Sequence, residues 1–200
     1  YFGERGEIVR MKSKKNTFVS RAAVGCVTTA IFLLLCIIKG IYPFGIATLD
    51  TVDFQSQWIP AYYHVWDVLH GDGSAFFDWR VGGGNNFAGV SAQFSLFSPF
   101  NLFFLFVKRS WIEKSMIVFI IIKLLAMGYG MRWFLKEQIL KEERYGIYIL
   151  AGSVGYAVNG YTLLYYGMGW LDVAAILPLL CYFFCRMAER EGDWRLGKNT

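Results

Sequence analysis

The chain has 200 residues, of which 56% are apolar and 18% aromatic, and its formal net charge is +5. This composition excludes an ordinary soluble domain, because apolar runs of about 18 or more residues are typical of membrane helices. Six basic residues precede Ala22, which is the flank expected on the cytoplasmic side of a first span. We therefore assign the positive charge to membrane topology and contact with anionic lipid, and not to nucleic-acid binding.

The first strongly apolar segment predicts a membrane span over residues 21–41. A cleaved signal peptide is the alternative, but the apolar core is longer than a signal core and no Ala-x-Ala site follows it. An uncleaved anchor places residues 1–20 in the cytoplasm as a basic N-terminal segment. Met11 is a candidate true start, and we expect the chain to be the N-terminal part of a longer membrane protein.

A long loop, residues 42–110, is predicted on the outer side of the membrane. Its residues 42–101 contain five Asp and a single basic residue, Arg80, which is too many charges for a span. Residues 54–69 predict a helix, since Trp58, Tyr62, Val65 and Leu69 recur at helical intervals. We expect this helix to lie in the membrane interface with its aromatic face down. Residues 82–86 predict a turn-rich connection.

Residues 94–107 allow two placements. They are uncharged but short for a span, and they contain Pro99 and Asn101. If they spanned the membrane, seven later basic residues would lie outside. If they only dip into the outer face, those seven residues lie inside, which agrees with the positive-inside rule. We favour the second placement.

Three further spans are predicted over residues 111–135, 145–166 and 171–187, and residues 188–200 are expected in the cytoplasm. Pro178 is expected to kink the last span. The predicted fold class is an all-α integral membrane protein with about four transmembrane helices. Its membrane domain covers residues 21–187 and includes the long outer loop with its interfacial helices.

Acidic residues just beyond the first span are the main candidates for chemistry. Asp50 and Asp53 are three residues apart, close enough to share one face of a helix. A carboxylate at this surface can act as a general base on an attacking hydroxyl. The alternative is structural, with Asp53 capping the helix that follows.

Three charged residues elsewhere allow both a functional and a structural interpretation. Lys123 lies near the middle of the second span, where a charge is costly unless it meets a partner or a bound anion; snorkelling is the alternative. Arg80 is predicted either to contact a phosphate or to pair with Asp78. Asp172, at the start of the fourth span, is either a helix-start acid or a second polar wall of a cavity that it shares with Asp50 and Asp53.

Metal and nucleotide sites are not predicted. The four Cys show neither metal-ligand nor disulfide spacing and are interpreted as packing residues. His64 and His70 are six residues apart, which does not place them as a metal pair on one helix face. Residues 82–84 lack the flanking elements of a nucleotide P-loop. No cofactor is assigned, and a divalent metal is neither assigned nor excluded.

The order of motifs resembles the N-terminal part of the YfhO family of bacterial multi-pass membrane proteins, over about residues 20–190. The resemblance is carried by Asp53-x-x-x-Gln57-x-x-Pro60, Trp79, Gly83, Asn86, Ser98-Pro99-Phe100-Asn101, Gly160-Tyr161, Trp170-Leu171-Asp172 and Leu177-Pro178-Leu179. Members of this family are similar to GT-C glycosyltransferases, which take a sugar from a polyprenyl-phosphate carrier at the outer membrane face. The family is linked to glycosylation of teichoic acids.

The resemblance implies a membrane glycosyltransferase whose partners are the lipid bilayer, a polyprenyl-phosphate sugar donor and a cell-wall polymer acceptor, in a bacterial cell membrane with a cytoplasmic N-terminus. It places the essential acid at Asp53, with Asp50 as the rival, and a second acid at Asp172. The candidate site residues are, for catalysis, Asp53 and Asp50 and, for substrate binding, Gln57, Arg80, Lys123, Asn101, Trp170 and Asp172. In this interpretation Arg80 or Lys123 stabilises the departing phosphate.

A transporter or a non-catalytic subunit for envelope assembly is the rival class. It would use Lys123 and Asp172 as a charge pair inside the membrane. The absence of an internal repeat in the sequence and the size of the outer loop favour an enzyme.

Overall fold

Four helices of the structure, a computed structural model, are long and apolar enough to cross a membrane: Arg21–Ile38, Arg109–Ile139, Gly146–Leu164 and Leu171–Glu189. The structure describes residues 21–47, 49, 53–90, 97–140, 145–166, 169 and 171–197. The protein is therefore an all-α integral membrane protein with about four transmembrane helices, as predicted.

The described elements follow one another with only one small pair of strands. In chain order they are α1 (Arg21–Ile38), a π-helical turn (Phe54–Trp58), α2 (Ile59–Leu69), β1 (Phe77–Asp78), β2 (Asn85–Asn86), α3 (Phe87–Val90), two 3-10 helices (Pro99–Phe106 and Arg109–Trp111), α4 (Ile112–Phe134), a second π-helical turn (Leu135–Ile139), α5 (Gly146–Ala157), α6 (Gly160–Leu164) and α7 (Leu171–Gly197).

Helix α4 is the centre of the bundle. It packs against α5 and α7, and its middle carries buried apolar side chains such as Phe119, Ile120 and Leu124. Helix α1 approaches it closely at Gly128, where an added Cβ would lie 3.2 Å from Val24 Cγ1. The glycine therefore allows a close contact between the two helices that a larger residue would disturb.

Helices α4 and α7 run in the same direction. The start of α7 lies beside the second half of α4, where the backbone of Ala175 lies next to Gly130, and further along the Trp133 and Tyr182 rings are 5.3 Å apart. The helical run that contains α4 has 31 residues. At 1.5 Å per residue it is about 45 Å long, well beyond the ~30 Å hydrocarbon core. Its length therefore exceeds what the bilayer requires.

The third predicted span is interrupted. Its two pieces, α5 and α6, are separated at Asn159, whose side chain accepts a hydrogen bond from the Thr162 N–H at 3.0 Å and donates one to the Tyr156 carbonyl at 2.7 Å. These bonds satisfy backbone groups that the break leaves open. The Tyr166 hydroxyl, just beyond α6, donates to the Leu49 carbonyl at 2.7 Å and so ties this end of the bundle to the long loop.

The predicted orientation of α2 is wrong in one respect. Trp58, Tyr62 and Val65 form its apolar face as expected, but this face is buried inside the protein. The Tyr62 ring lies 5.3 Å from both the Phe104 and the Phe119 rings. The aromatic face therefore joins the long loop to α4 instead of lying on the bilayer, because aromatic partners inside the protein cover it.

The described part of residues 94–107 forms the 3-10 helix Pro99–Phe106. Eight 3-10 residues extend about 16 Å, which is too short to cross a bilayer. Phe104 faces inward and is fully buried, whereas Leu102 and Phe106 are exposed. This geometry fits the favoured placement, in which the segment lies along the membrane face without spanning it.

Strands β1 and β2 form a two-stranded antiparallel hairpin with Phe77 opposite Asn86. The sequence predicted only a turn-rich connection here. Gly82, Gly83 and Gly84 all have positive φ, from 56° to 109°, which side chains rarely adopt. The glycine run therefore makes the tight turn that connects β1 to β2.

Candidate functional site

One cavity lies in the long loop where α2 faces the start of α4. We call it the polar cavity; its volume is about 660 Å³. Its lining residues are Gln55, Gln57, Ile59, Pro60, Ala61, Tyr63, His64, Asp67, Arg80, Val81, Gly82, Phe87, Arg109 and Glu113. Such a mixture of charged, amide and aromatic side chains suits a polar ligand with several hydroxyl groups.

Asp67 organises the charges of the polar cavity. Its side chain is only 7% exposed and pairs with two arginines, Arg80 at 3.1 Å and Arg109 at 2.8 Å. The two arginine side chains are about half exposed. The buried carboxylate is thus compensated from two directions, and it joins α2 both to the hairpin and to the start of α4.

The structural interpretation of Arg80, in which it pairs with Asp78, is supported. Arg80 Nη2 contacts Asp78 Oδ2 at 2.6 Å, and the Arg80 backbone N–H donates to Asp78 Oδ1 at 2.9 Å. These hydrogen bonds hold the pKa of Asp78 well below its ordinary range. Because Arg80 already has two carboxylate partners, Asp67 and Asp78, a phosphate would have to compete with both of them.

Asp53 lies at the start of the helical run that forms one side of the polar cavity. Its backbone is helical, and its side chain makes no capping hydrogen bond, so the structural alternative of a side-chain cap is not supported. Instead, the Gln57 side-chain amide donates to Asp53 Oδ1 at 3.3 Å. Gln57 lines the polar cavity and Asp53 is exposed, so the carboxylate is one hydrogen bond away from the cavity lining.

Glu113 is a carboxylate of the cavity that the sequence reasoning missed. The Tyr63 hydroxyl donates to Glu113 Oε1 at 3.1 Å, across from α2 to α4. Burial of the ring and the neighbouring Glu113 carboxylate both raise the pKa of Tyr63. Only contact between these two helices identifies Glu113, because its local sequence is an ordinary helix start.

A second cavity adjoins the first. We call it the apolar cavity; it has a volume of about 420 Å³ and is lined mainly by apolar residues from the turn after α1, the first π-helical turn, the start of α2 and the start of α4. Three residues, Gln55, Ile59 and Glu113, line both cavities. The two cavities are therefore neighbours that share a wall.

Lys123 and Asp172 form a separate, buried centre. Lys123 Nζ lies 2.7 Å from Asp172 Oδ1, and the two side chains are 2% and 8% exposed. The Lys123 ammonium also lies 4.5 Å from the centre of the Phe119 ring. Burial and, secondarily, the Asp172 carboxylate raise the pKa of Tyr62 well above its ordinary value. The ion pair therefore joins α4 to α7 beneath α2.

The structure brings together only some of the predicted site residues. Gln57 and Arg80 line the polar cavity, whereas Lys123 and Asp172 line neither of the two described cavities. A role of Asp172 as a second polar wall has no support from these two linings and stays a prediction. Lys123 lies at the middle of α4, as predicted, and its partner Asp172 lies in the first turn of α7.

The remaining predicted residues are placed as follows. Asn101 is 4% exposed and lies in the 3-10 helix that packs on α2. Asp50 and Trp170 lie outside the described residues. Among the described residues no group of three or more His, Cys, Asp and Glu side chains could hold a metal ion.

The comparisons with known proteins give one match. A family model described as "Bacterial membrane protein YfhO" matches residues 25–192. Neither a curated protein nor a solved structure matches the chain. The matched range covers α1 to α7, and therefore both cavities and the buried ion pair.

Proposed function

Because the chain belongs to the YfhO family of bacterial membrane proteins, we propose that it is a GT-C-type glycosyltransferase. It takes a sugar from a polyprenyl-phosphate donor and transfers it to a cell-envelope polymer such as teichoic acid, on the outer face of the membrane. The catalytic carboxylate in this proposal is Asp53, with Asp50 as the rival.

One observation carries the proposal. An exposed carboxylate, Asp53, is held by Gln57 at the edge of a polar cavity of about 660 Å³, and that cavity adjoins an apolar one. A lipid-linked sugar has the same two parts, a polar sugar and an apolar chain. The arrangement therefore offers separate environments for both parts of such a donor next to a candidate base.

In the proposed reaction the acceptor hydroxyl oxygen attacks the anomeric carbon of the donor sugar. The bond between that carbon and the phosphate oxygen breaks, and the polyprenyl phosphate leaves with the bonding electrons. Asp53 takes the proton of the attacking hydroxyl and later releases it to water. Gln57 orients the carboxylate through its hydrogen bond.

The outer-face location rests on charge. The end of the bundle opposite the two cavities carries Arg21, Arg132 and Lys136 close together. Basic residues are enriched on the cytoplasmic side, which supports a cytoplasmic N-terminus and cavities that face outward. Nucleotide sugars are made inside the cell, so an enzyme on the outer face needs a lipid-linked donor.

The test is transfer of a labelled sugar from a polyprenyl-phosphate donor to a cell-wall polymer by the full-length protein. Asp53→Asn should lower turnover by about 10²–10⁴-fold, the usual contribution of a general base. The asparagine can still accept the Gln57 hydrogen bond, so folded yield should stay close to that of the wild type. Normal turnover in Asp53→Asn would reject Asp53 as the base.

Two matched variants locate the base if Asp53 is not it. Asp50→Asn tests the rival from the sequence, and Glu113→Gln tests the carboxylate that contacts Tyr63. If Asp53 is the base, both variants should lose far less activity than Asp53→Asn. Normal turnover in all three would reject a catalytic role for this loop.

Orientation is tested separately by cysteine labelling in intact cells, in a background without the four native cysteines. Ser110→Cys, at the exposed start of the long span, should react with a membrane-impermeant thiol reagent. Gln138→Cys, at the opposite end of the same helix, should react only after the cells are opened. The reverse pattern would place the cavities in the cytoplasm and contradict the proposed donor.

The second candidate function is a transporter or a non-catalytic subunit for envelope assembly, and the buried Lys123–Asp172 pair favours it. Charged pairs inside spans mark many substrate pathways. On this alternative the pair is the essential feature and the loop carboxylates are dispensable. The variants of Asp53 and of Lys123 therefore discriminate between the two functions.

A further inference from the structure

We propose that the apolar cavity binds the phosphate and the first isoprenoid units of a polyprenyl-phosphate lipid, with Lys114 as the phosphate contact. The inference rests on the proposed function for the nature of the lipid, but it assigns a new site and a new residue. From the sequence, Arg80 and Lys123 were the candidates for the phosphate contact.

The cavity has the composition that a lipid chain requires. Its walls include Ile41, Ile46, Leu49, Phe54, Met116 and Ile117. Ile46 is fully exposed in the protein, although it is an isoleucine beside the end of a membrane span. An exposed apolar side chain at this place is readily explained by contact with a lipid chain.

Lys114 is suited to the phosphate for three reasons. It lines the apolar cavity, its side chain is exposed, and within the described residues it has no carboxylate at ion-pair distance. Its ammonium is held over two aromatic rings, 5.4 Å from the Trp111 centroid and 6.0 Å from the Tyr42 centroid. Arg80 and Arg109, in contrast, are already paired with carboxylates.

The depth of Lys114 is also appropriate. It is the sixth residue of the 31-residue helical run that begins at Arg109. Only about 20 residues are needed to cross the hydrocarbon core, so the first turns of this run are at the level of the lipid headgroups. A cation there is level with the phosphate of a lipid whose chain enters the bilayer.

The position next to the polar cavity gives the site its function. Gln55, Ile59 and Glu113 separate the two cavities. A phosphate at Lys114 places the attached sugar against this wall, on the side of Gln57 and Asp53. The donor would therefore have its polyprenyl phosphate in the apolar cavity and its sugar in the polar cavity. The bond between sugar and phosphate, which transfer breaks, would lie at the wall between them.

The experiment uses the full-length protein in vesicles of zwitterionic lipid with a photoreactive polyprenyl monophosphate as the probe. Crosslinks should map to residues 41–49 and 113–117. Unlabelled polyprenyl monophosphate should compete, whereas polyprenol, which lacks the phosphate, and phosphatidylglycerol, an anionic bilayer lipid, should compete at least tenfold less well. Equal competition by phosphatidylglycerol would show a general lysine–lipid contact and overturn the proposal.

Two variants with a matched control sharpen the result. Lys114→Gln should weaken probe binding by about tenfold, the loss typical of a charge-assisted hydrogen bond. Lys108→Gln removes an exposed lysine from the same end of the helix but outside both cavities, and it should leave binding unchanged.

Ile46→Ser removes no internal packing and should weaken binding of the polyprenyl probe but not of a short-chain phosphate ester. Equal losses in Lys108→Gln and Lys114→Gln would overturn the assignment.

The failure of this inference is distinguishable from failure of the proposed function. Sugar transfer together with crosslinks elsewhere would disprove the lipid site and leave the glycosyltransferase standing. Crosslinks at the apolar cavity without any sugar transfer would support the lipid site and reject the enzyme.

Discussion

Asp67 in the long loop and Asp172 at the start of α7 are both buried carboxylates, but their surroundings differ. Asp67 pairs with two arginines whose side chains are about half exposed, whereas Asp172 pairs with one lysine that is itself buried. Water can reach the two arginine partners of Asp67 and can solvate their charges if the carboxylate is removed. It does not reach Lys123, so the charges of Lys123 and Asp172 depend on each other.

This difference separates two roles of charge in the molecule. The loop network surrounds an open cavity, and its cations remain accessible to a ligand. The ion pair between α4 and α7 is closed and holds two spans in register. We therefore expect substitutions at the ion pair to affect folding first and substitutions in the loop to affect the cavity first.

The largest effect is expected for Lys123→Met. The variant leaves the Asp172 carboxylate buried without its partner, and breaking such a pair costs about 3–5 kcal/mol. The folded yield and the thermal midpoint in detergent should both fall strongly.

The double variant Lys123→Met/Asp172→Leu is the control for that prediction. It removes both charges, and replacing a buried pair by apolar residues is often neutral or stabilising. Recovery of stability together with activity would show that the pair is structural. Recovery of stability with complete loss of activity would favour the transporter alternative and contradict the separation of roles drawn here.

A smaller effect is expected for Asp67→Asn. The substitution keeps the size of the side chain but leaves Arg109 without the carboxylate of Asp67. The loss should be about 1–2 kcal/mol of unfolding free energy, because the half-exposed arginines regain water. Thermal unfolding of the variant measures it.

The matched control is Asp72→Asn, an exposed acid near the end of α2. It should be close to neutral, because its carboxylate takes part in none of the ion pairs described for this cluster. A loss as large as that of Asp67→Asn would show that general loop charge, and not the specific network, is responsible.

The spans and their number could be predicted from the sequence because bilayer thickness fixes the length of an apolar run. The break at Asn159 was not predicted. Its hydrogen bonds to Tyr156 and Thr162 are local, but asparagine and glycine inside a span also occur without a break. The burial of the α2 face could not be predicted either, because a helix period does not reveal whether protein or lipid covers the apolar side.

The candidate site was only partly predictable for a similar reason. Gln57 and Arg80 were chosen from the loop and do line the polar cavity. Arg109 and Glu113 were missed because their partners, Asp67 and Tyr63, are more than 40 residues away in the chain. Asp172 was expected at a cavity wall, but its register with α4 depends on how two helices pack, which local sequence does not determine.

The smallest effect concerns the pH response of the hairpin. Hydrogen bonds from Arg80 hold the pKa of Asp78 below its ordinary value of about 3.9. A carboxylate with a lowered pKa in the folded state contributes stability that is present above its unfolded pKa and is lost as the pH falls through its folded pKa. The hairpin should therefore loosen only below about pH 4.

Hydrogen exchange at the Phe87 N–H, which donates to the Phe76 carbonyl, is the measurement, corrected for intrinsic exchange at each pH. In Asp78→Asn the exchange should already be faster at pH 7 and should change little on acidification, because the ionised partner of Arg80 is gone. The same acid response in the variant and the wild type would show that Asp78 is not its source.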